Sequence, residues 1–237
     1  MPWRYQSAMD QVLADLQGQP GVEGILFFGS AMAGTAGPTS DLDLYVLTRE
    51  GSGPRITLRR YSGAEAEIHF APYAFWQERV DQGNVVILHA FATGQALLDP
   101  KGLVGELSAV ARQKVEAGPP ALTPFEVDRW RYRLTDLAKD LEDVAGQPAD
   151  ERLLGTLLVQ QCLQAFCALN RLWGDKPKRI LAYVERHDAE LGRMARTFFA
   201  GGMDRHLAAT LVDRVLAPHG GRMGTWESAP DKGVGHA

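Results

Sequence analysis

Residues 22–47 read Val-Glu-Gly-Ile-Leu-Phe-Phe-Gly-Ser-Ala-Met-Ala-Gly-Thr-Ala-Gly-Pro-Thr-Ser-Asp-Leu-Asp-Leu-Tyr-Val-Leu, and this stretch decides the fold. The run Ile25-Leu26-Phe27-Phe28 is short, β-prone and uncharged, which predicts a central strand buried on both faces. It stops at Gly29-Ser30, where small residues predict a short helix over 31–34. The chain then resumes as Asp41-Leu42-Asp43-Leu44-Tyr45-Val46-Leu47, a predicted strand alternating acidic and apolar residues in period two. Residues i and i+2 of a strand project from one face. Asp41 and Asp43 therefore lie side by side, and Leu42, Leu44 and Val46 set the register against the core.

Outward from this stretch, Tyr5, Met9, Val12, Leu13 and Leu16 recur at helical spacing and end at Gln-Pro-Gly. After a Gly-Ser-Gly-Pro turn at 51–54, Ile56–Tyr61 and Ala64–Ala71 read as a hairpin. A helix over 72–80 is predicted next, then an apolar run over 85–91 that fits a helix or a buried strand, a short strand at 96–98, and a helix over 101–116. Gly118-Pro119-Pro120 is the clearest break, and beyond it β-signals vanish. Helices are predicted over 126–144, 152–173, 180–187, 191–199 and 205–216. The reading is an α/β domain over 1–117, a helical bundle over 118–218 and a flexible, Gly-rich tail over 219–237, where Trp226 offers an anchor.

Composition narrows the class. With 45% hydrophobic and 23% charged residues and a net charge of −4, the 237-residue chain is neither disordered nor collagenous. The two cysteines, Cys162 and Cys167, fall on different faces of a predicted apolar helix and read as small buried thiols. No basic segment leads into an apolar one at the start. No stretch reads as the ~20 apolar residues of a membrane span, and together these predict a cytoplasmic protein. A pI near 5.9 argues against nucleic-acid binding through a global positive field.

The hairpin offers further acids. Glu65, Glu67 and His69 share one face of their strand, opposite Ala66, Ile68 and Phe70. If that strand neighbours the one bearing Asp41 and Asp43, three carboxylates converge. Two like charges about 4 Å apart repel by ~1 kcal/mol in water and ~4 kcal/mol at an effective dielectric of 20. Hard divalent cations relieve that repulsion, and Mg²⁺ prefers carboxylate oxygens beside substrate phosphates. Glu67, deeper in its strand than Glu65, is the favoured third acid. His69 reads as a strand-face residue with a routine hydrogen bond. Gly29-Ser30 supplies a complementary anion site of backbone N–H groups and a hydroxyl. No Gly-Lys-[Ser/Thr] follows, so this is not a Walker A loop.

An apolar strand, Gly29-Ser30, ten residues, Asp41-Leu42-Asp43-Leu44 and a later strand acid resemble the nucleotidyltransferase superfamily that includes DNA polymerase β. Size and the helical second half look most like its small-molecule members, the aminoglycoside and lincosamide type. The motif-bearing part spans residues 22–70. The resemblance implies an α+β (α/β-type) nucleotidyltransferase domain, its mixed sheet flanked by helices, followed by an all-α bundle. It implies that Asp41 and Asp43 bind two Mg²⁺ ions, that Glu67 binds the catalytic one, and that Gly29 and Ser30 hold the phosphates of ATP or another NTP. The donor's nucleoside monophosphate would pass to a hydroxyl of a small acceptor. Many members carry Arg four residues after the motif glycine, where this chain has Ala33. Lys178 and Arg179, opening the predicted helix near 180, are candidate replacements for that cation across an interdomain cleft. On the helix from 126, Asp136 and Asp140 share a face. They read either as a solvent-facing stripe with Arg129, Arg133 and Lys139, or as a candidate general base. A protein or RNA acceptor, or a nucleotide-binding module without catalysis, are the alternative readings; the slight acidity disfavours a nucleic-acid partner.

Overall fold

The computed structural model describes residues 5–51 and 53–227, and these form two compact units, Met1–Gly118 and Pro119–Ala237. In the first, a five-stranded mixed sheet comprises β1 (Val22–Phe28), β2 (Leu42–Thr48), β3 (Arg55–Tyr61), β4 (Ala64–Pro72) and β5 (Gln95–Leu98) in the order β3-β4-β2-β1-β5. β2 and β4 run parallel, and the other neighbours are antiparallel. β3 and β4 join through Ser62-Gly63, both with positive φ (44° and 83°), as the tightest hairpin turn requires.

Period two sorts the sheet into two faces. One packs against α1 (Gln6–Gln17), burying Met9, Val12 and Leu16 on Ile25, Phe27, Leu42, Leu44, Val46, Ile68 and Phe70. The other carries Tyr45, stacked on Trp76 of α3 (Tyr73–Asp81) with ring centroids 4.3 Å apart and flanked by Phe28 and by Phe91 of α4 (Val85–Thr93). Trp76 is fixed by donating its indole N–H to the carbonyls of Ala71 (3.1 Å) and Val46. α5 (Leu103–Ala117) completes the unit. Because helices cover both faces, the acidic–apolar alternation expected along β2 holds only at its start. Tyr45 and Leu47 are buried like Leu44 and Val46.

The ambiguous run at 85–91 is helical: Asn84 caps it by accepting the N–H of Ile87. Between β1 and β2, the short helix α2 spans Gly29–Met32, two residues earlier than the expected 31–34.

The second unit is all helical: α6 (Pro124–Asp143), α7 (Pro148–Leu169), α8 (Pro177–His187), α9 (Ala189–Ala200) and α10 (Arg205–Leu216). α6 starts in a capping box, with Thr123 and Glu126 satisfying each other's backbone N–H groups. α7, at 22 residues, is long and apolar enough to span a bilayer, which corrects the expectation that no stretch is. In this fold its apolar residues build the bundle core, including Leu158, Val159, Leu163 and Phe166. Cys162 and Cys167 are buried there as free thiols, and burial pushes the Cys167 thiol up to about 12.

Of the tail expected to be loose, residues 220–226 are tied to α6, and Arg222 pairs with Asp213 of α10. Arg131 donates to the carbonyls of Gly220 and Gly221, the N–H of Met223 donates to Thr135, and Trp226 stacks on Tyr132. Residues 228–237 lie outside the described residues.

Candidate active site

The acids expected to act together occupy the α3/α4 side of the sheet, at the end where β1 stops and β2 and β4 begin. Asp43 is the Cα partner of Phe28 across β1–β2 and of Glu67 across β2–β4. Paired residues of adjacent strands point to the same face, so the Asp43 and Glu67 side chains are neighbours. Glu65 lies two residues nearer the hairpin turn, where it pairs with Arg60 at 2.7 Å. The register thus sets Glu67, and not Glu65, opposite Asp43. Asp41 stands one residue ahead of β2.

The turn after β1 is shaped around Asp43. Gly29 has φ +82°, a left-handed conformation that side chains resist, and a Cβ there would overlap the Asp43 carboxylate, only 2.7 Å from its Cγ. A hydrogen at this position is what brings the main chain of the turn against the acid. Ser30 donates its hydroxyl to Ser40 at 3.1 Å, and Ser40 Oγ also accepts the N–H of Gly37 at 2.9 Å. The Tyr5 hydroxyl donates to the Ser40 carbonyl at 2.9 Å. Three contacts therefore hold the residue immediately before Asp41. Neither Ser40 nor Tyr5 was singled out from the sequence as part of the site; a serine abutting the acidic motif was the available signal. Ala33 ends α2 and is exposed.

Below the acid pair, Tyr45 registers its charge: burial first, then the negative charges of Asp43 and Glu67, push the phenol far above its ordinary range. Glu67 is in turn met by His69, whose Nε2 stands 2.5 Å from Glu67 Oε1. The tautomer of His69 with its hydrogen on Nε2 donates to this carboxylate oxygen.

The remaining candidates belong to the second unit. Lys178 and Arg179 lie in the first turn of α8, and Arg179 grips Asp175 with Nε and Nη2 at 2.7–3.0 Å. Asp136 and Asp140 are exposed on α6, opposite buried Leu134 and Leu141.

The donor set suits a hard divalent cation. Two carboxylates sit opposite each other in register, their charge is felt by the phenol beneath them, and a third acid lies two residues from Asp43. Among the described residues no three His, Cys, Asp or Glu side chains form a ready-made cage. The expected convergence of three carboxylates, Asp41 with Asp43 and Glu67, is therefore not seen.

Residues 9–84 match the family model described as a nucleotidyltransferase domain, a span that contains the turn at 29–30 and all the sheet acids. No curated protein matches the chain in sequence. Among solved structures, it is similar to a nucleotidyltransferase-like protein from Exiguobacterium sibiricum 255-15, with a TM-score of 0.51 and 12% identity, covering 89% of this chain and 74% of that one. At that identity the likeness speaks to the fold. The matched segment makes residues 9–84 similar to a nucleotidyltransferase domain, and the solved structure shows a shared fold.

Proposed function

We propose that the chain transfers a nucleoside monophosphate, most simply AMP from ATP, to a hydroxyl of a small-molecule acceptor. The acceptor oxygen bonds to the α-phosphorus, the bond from that phosphorus to the β-phosphate bridge breaks, and pyrophosphate leaves while the hydroxyl proton is lost. The observation that carries this reading is the register pairing of Asp43 with Glu67 beside the Gly29 turn.

Asp43 and Glu67, with Asp41 ahead of the strand, are the residues that would hold Mg²⁺. When bound, divalent ions supply Lewis acidity at the attacking oxygen and charge neutralisation at the leaving pyrophosphate. The protein's part is placement. Gly29 lets the turn close on the Asp43 carboxylate, and Ser30 and Ser40 fix the loop that leads to Asp41. The rigid Tyr45–Trp76 stack sets the depth of the acids. A small acceptor suits a chain with a net charge of −4, which offers no global positive field for a nucleic acid. Two free, buried thiols suit a reducing, cytoplasmic setting.

The test is incubation with α-labelled ATP, Mg²⁺ and a panel of hydroxyl-bearing small molecules, followed by separation of labelled product. Label should appear on an acceptor with stoichiometric pyrophosphate, and Asp43→Asn and Glu67→Gln should each lose it. Transfer undiminished in both variants would remove the assignment; label appearing only on protein would replace the acceptor class.

A further inference from the structure

The acid pair is not held by β-strand geometry alone. Glu67 is a flexible side chain, 40% exposed, at the rim of the sheet, and a rotamer-rich carboxylate there would sample several directions. His69 removes that freedom. Two residues further along β4 and on the same face, it stands with Nε2 2.5 Å from Glu67 Oε1, while the edge of its ring rests on Tyr45 with centroids 5.4 Å apart at 76°. Tyr45 stacks on Trp76, and Trp76 is bolted to the backbone through Ala71 and Val46. A continuous line of contacts thus runs from the α3 helix to one oxygen of Glu67.

We infer that His69 is a positioning residue: its Nε2–H occupies Glu67 Oε1 and leaves Oε2 as the oxygen presented to a divalent cation. The inference rests on the reading of Asp43 and Glu67 as the cation-binding pair. It assigns the imidazole no proton transfer and no direct contact with substrate. What it contributes is a single carboxylate orientation before the cation arrives, the role that hydrogen-bonding partners of ligating groups play generally, where their loss weakens metal affinity about 10- to 100-fold. The same residue type would serve poorly as a mere space-filler here, because His69 is itself partly exposed, at 24%, and packs through its ring edge.

The experiment is Mn²⁺ titration of the full chain, followed by electron paramagnetic resonance of the free ion, for the parent, Glu67→Gln, His69→Phe and His69→Gln. Near-ultraviolet circular dichroism from Tyr45 and Trp76 verifies that each variant keeps the aromatic stack. His69→Phe should weaken Mn²⁺ binding at least about tenfold. His69→Gln, which retains an N–H donor on a side chain of similar reach, should stay within about threefold of the parent. Parent-like affinity in His69→Phe overturns the positioning role, and so does equal loss in the Phe and Gln variants with the stack intact. If Glu67→Gln also binds like the parent, the cation-site reading itself fails; if Glu67→Gln weakens and His69→Phe does not, only the positioning role is lost.

Discussion

In the helical unit, acids meet cations and helix ends; on the sheet, Glu65 and Glu23 also pair with cations, but Asp43 and Glu67 face each other across two strands. Asp188 accepts the backbone N–H groups of Glu190 and Leu191 at the start of α9, and both its oxygens take the Arg214 guanidinium at 3.0 Å. Asp175 holds Arg179, and Asp213 holds Arg222. Asp43 and Glu67 instead stand opposite each other in a parallel register, their combined charge reaching the buried Tyr45 phenol. An acid that fastens structure brings its counter-charge with it. A pair of acids set against each other lowers stability unless something positive joins them, and such clusters mark working sites.

The contrast breaks most visibly at Asp43. Asp43→Asn should reduce nucleotidyl transfer about 100- to 1,000-fold, the scale for losing one preorganised electrostatic group. Asn is close in size and keeps an acceptor oxygen, so folding stability should stay within about 1.5 kcal/mol of the parent's. Steady-state kinetics and urea denaturation on the same preparation read both effects.

Gly29→Ala is next. A methyl group at φ +82° and inside the Asp43 carboxylate should cost about 2–3 kcal/mol of stability and displace the acid, with activity falling at least about tenfold. Here fold and function decline together, which urea midpoints and kinetics again separate from a purely structural loss.

Asp188→Ala tests the other side of the contrast. Losing an N-cap and the partner of Arg214, whose Nε is already buried without an acceptor, should cost about 2 kcal/mol. The turnover number at 25 °C should be unchanged, and thermal denaturation monitors the first effect. The pH dependence follows from the same contacts. Burial works to raise the Asp188 carboxyl, but the Leu191 N–H and Arg214 outweigh it and hold the group below its ordinary 3.8. A depressed native value means the contribution is complete above the unfolded value and is lost as pH falls from about 4 through the native one. The gap in stability between parent and Asp188→Ala should therefore narrow below about pH 4.

The smallest effect belongs to Glu65→Gln. This acid shares the face of Glu67 but pairs with Arg60 at an exposed position, so activity should stay within about twofold and stability within about 1 kcal/mol. Comparison with Glu67→Gln in the same assay sharpens which of the two acids belongs to the site.

Strand chemistry was the most legible part of the chain. Period two is rigid, so Asp43 and Glu67 were each assigned a face from local sequence alone, opposite Leu44 and Ile68. What local sequence did not contain is that β4 inserts between β2 and β3 and runs parallel to β2, because the hairpin turn fixes only the β3–β4 pairing. That one tertiary choice makes Glu67 the partner of Asp43. The second cover on β2 was hidden for the same reason: Tyr45 is buried by residues of α3 and α4 some thirty or more positions on.

Helix limits blurred where the pattern is uniformly apolar. α7 was expected over 152–173 but runs Pro148–Leu169. Its start carries Pro148 with Asp150 and Glu151 in the first turn, a polar signal outside the apolar run. Its end is capped by Asn170 and followed by Arg171 at φ +55° and Gly174 at φ +75°, stop signals that the continuing apolar run through Leu172 and Trp173 masks. In the tail, the glycines suggested looseness and Trp226 an anchor; the Tyr132–Trp226 stack bears out the anchor, and Arg131 adds a hold on Gly220 and Gly221 that composition does not announce.

The most direct test of the central claim is anomalous diffraction from crystals of the full chain soaked with Mn²⁺ and a non-hydrolysable ATP analogue. The account predicts a manganese peak about 2 Å from carboxylate oxygens of both Asp43 and Glu67, with the triphosphate on the Gly29–Ser30 turn. Manganese bound elsewhere, with those two carboxylates ligating nothing while the analogue is in place, would contradict it.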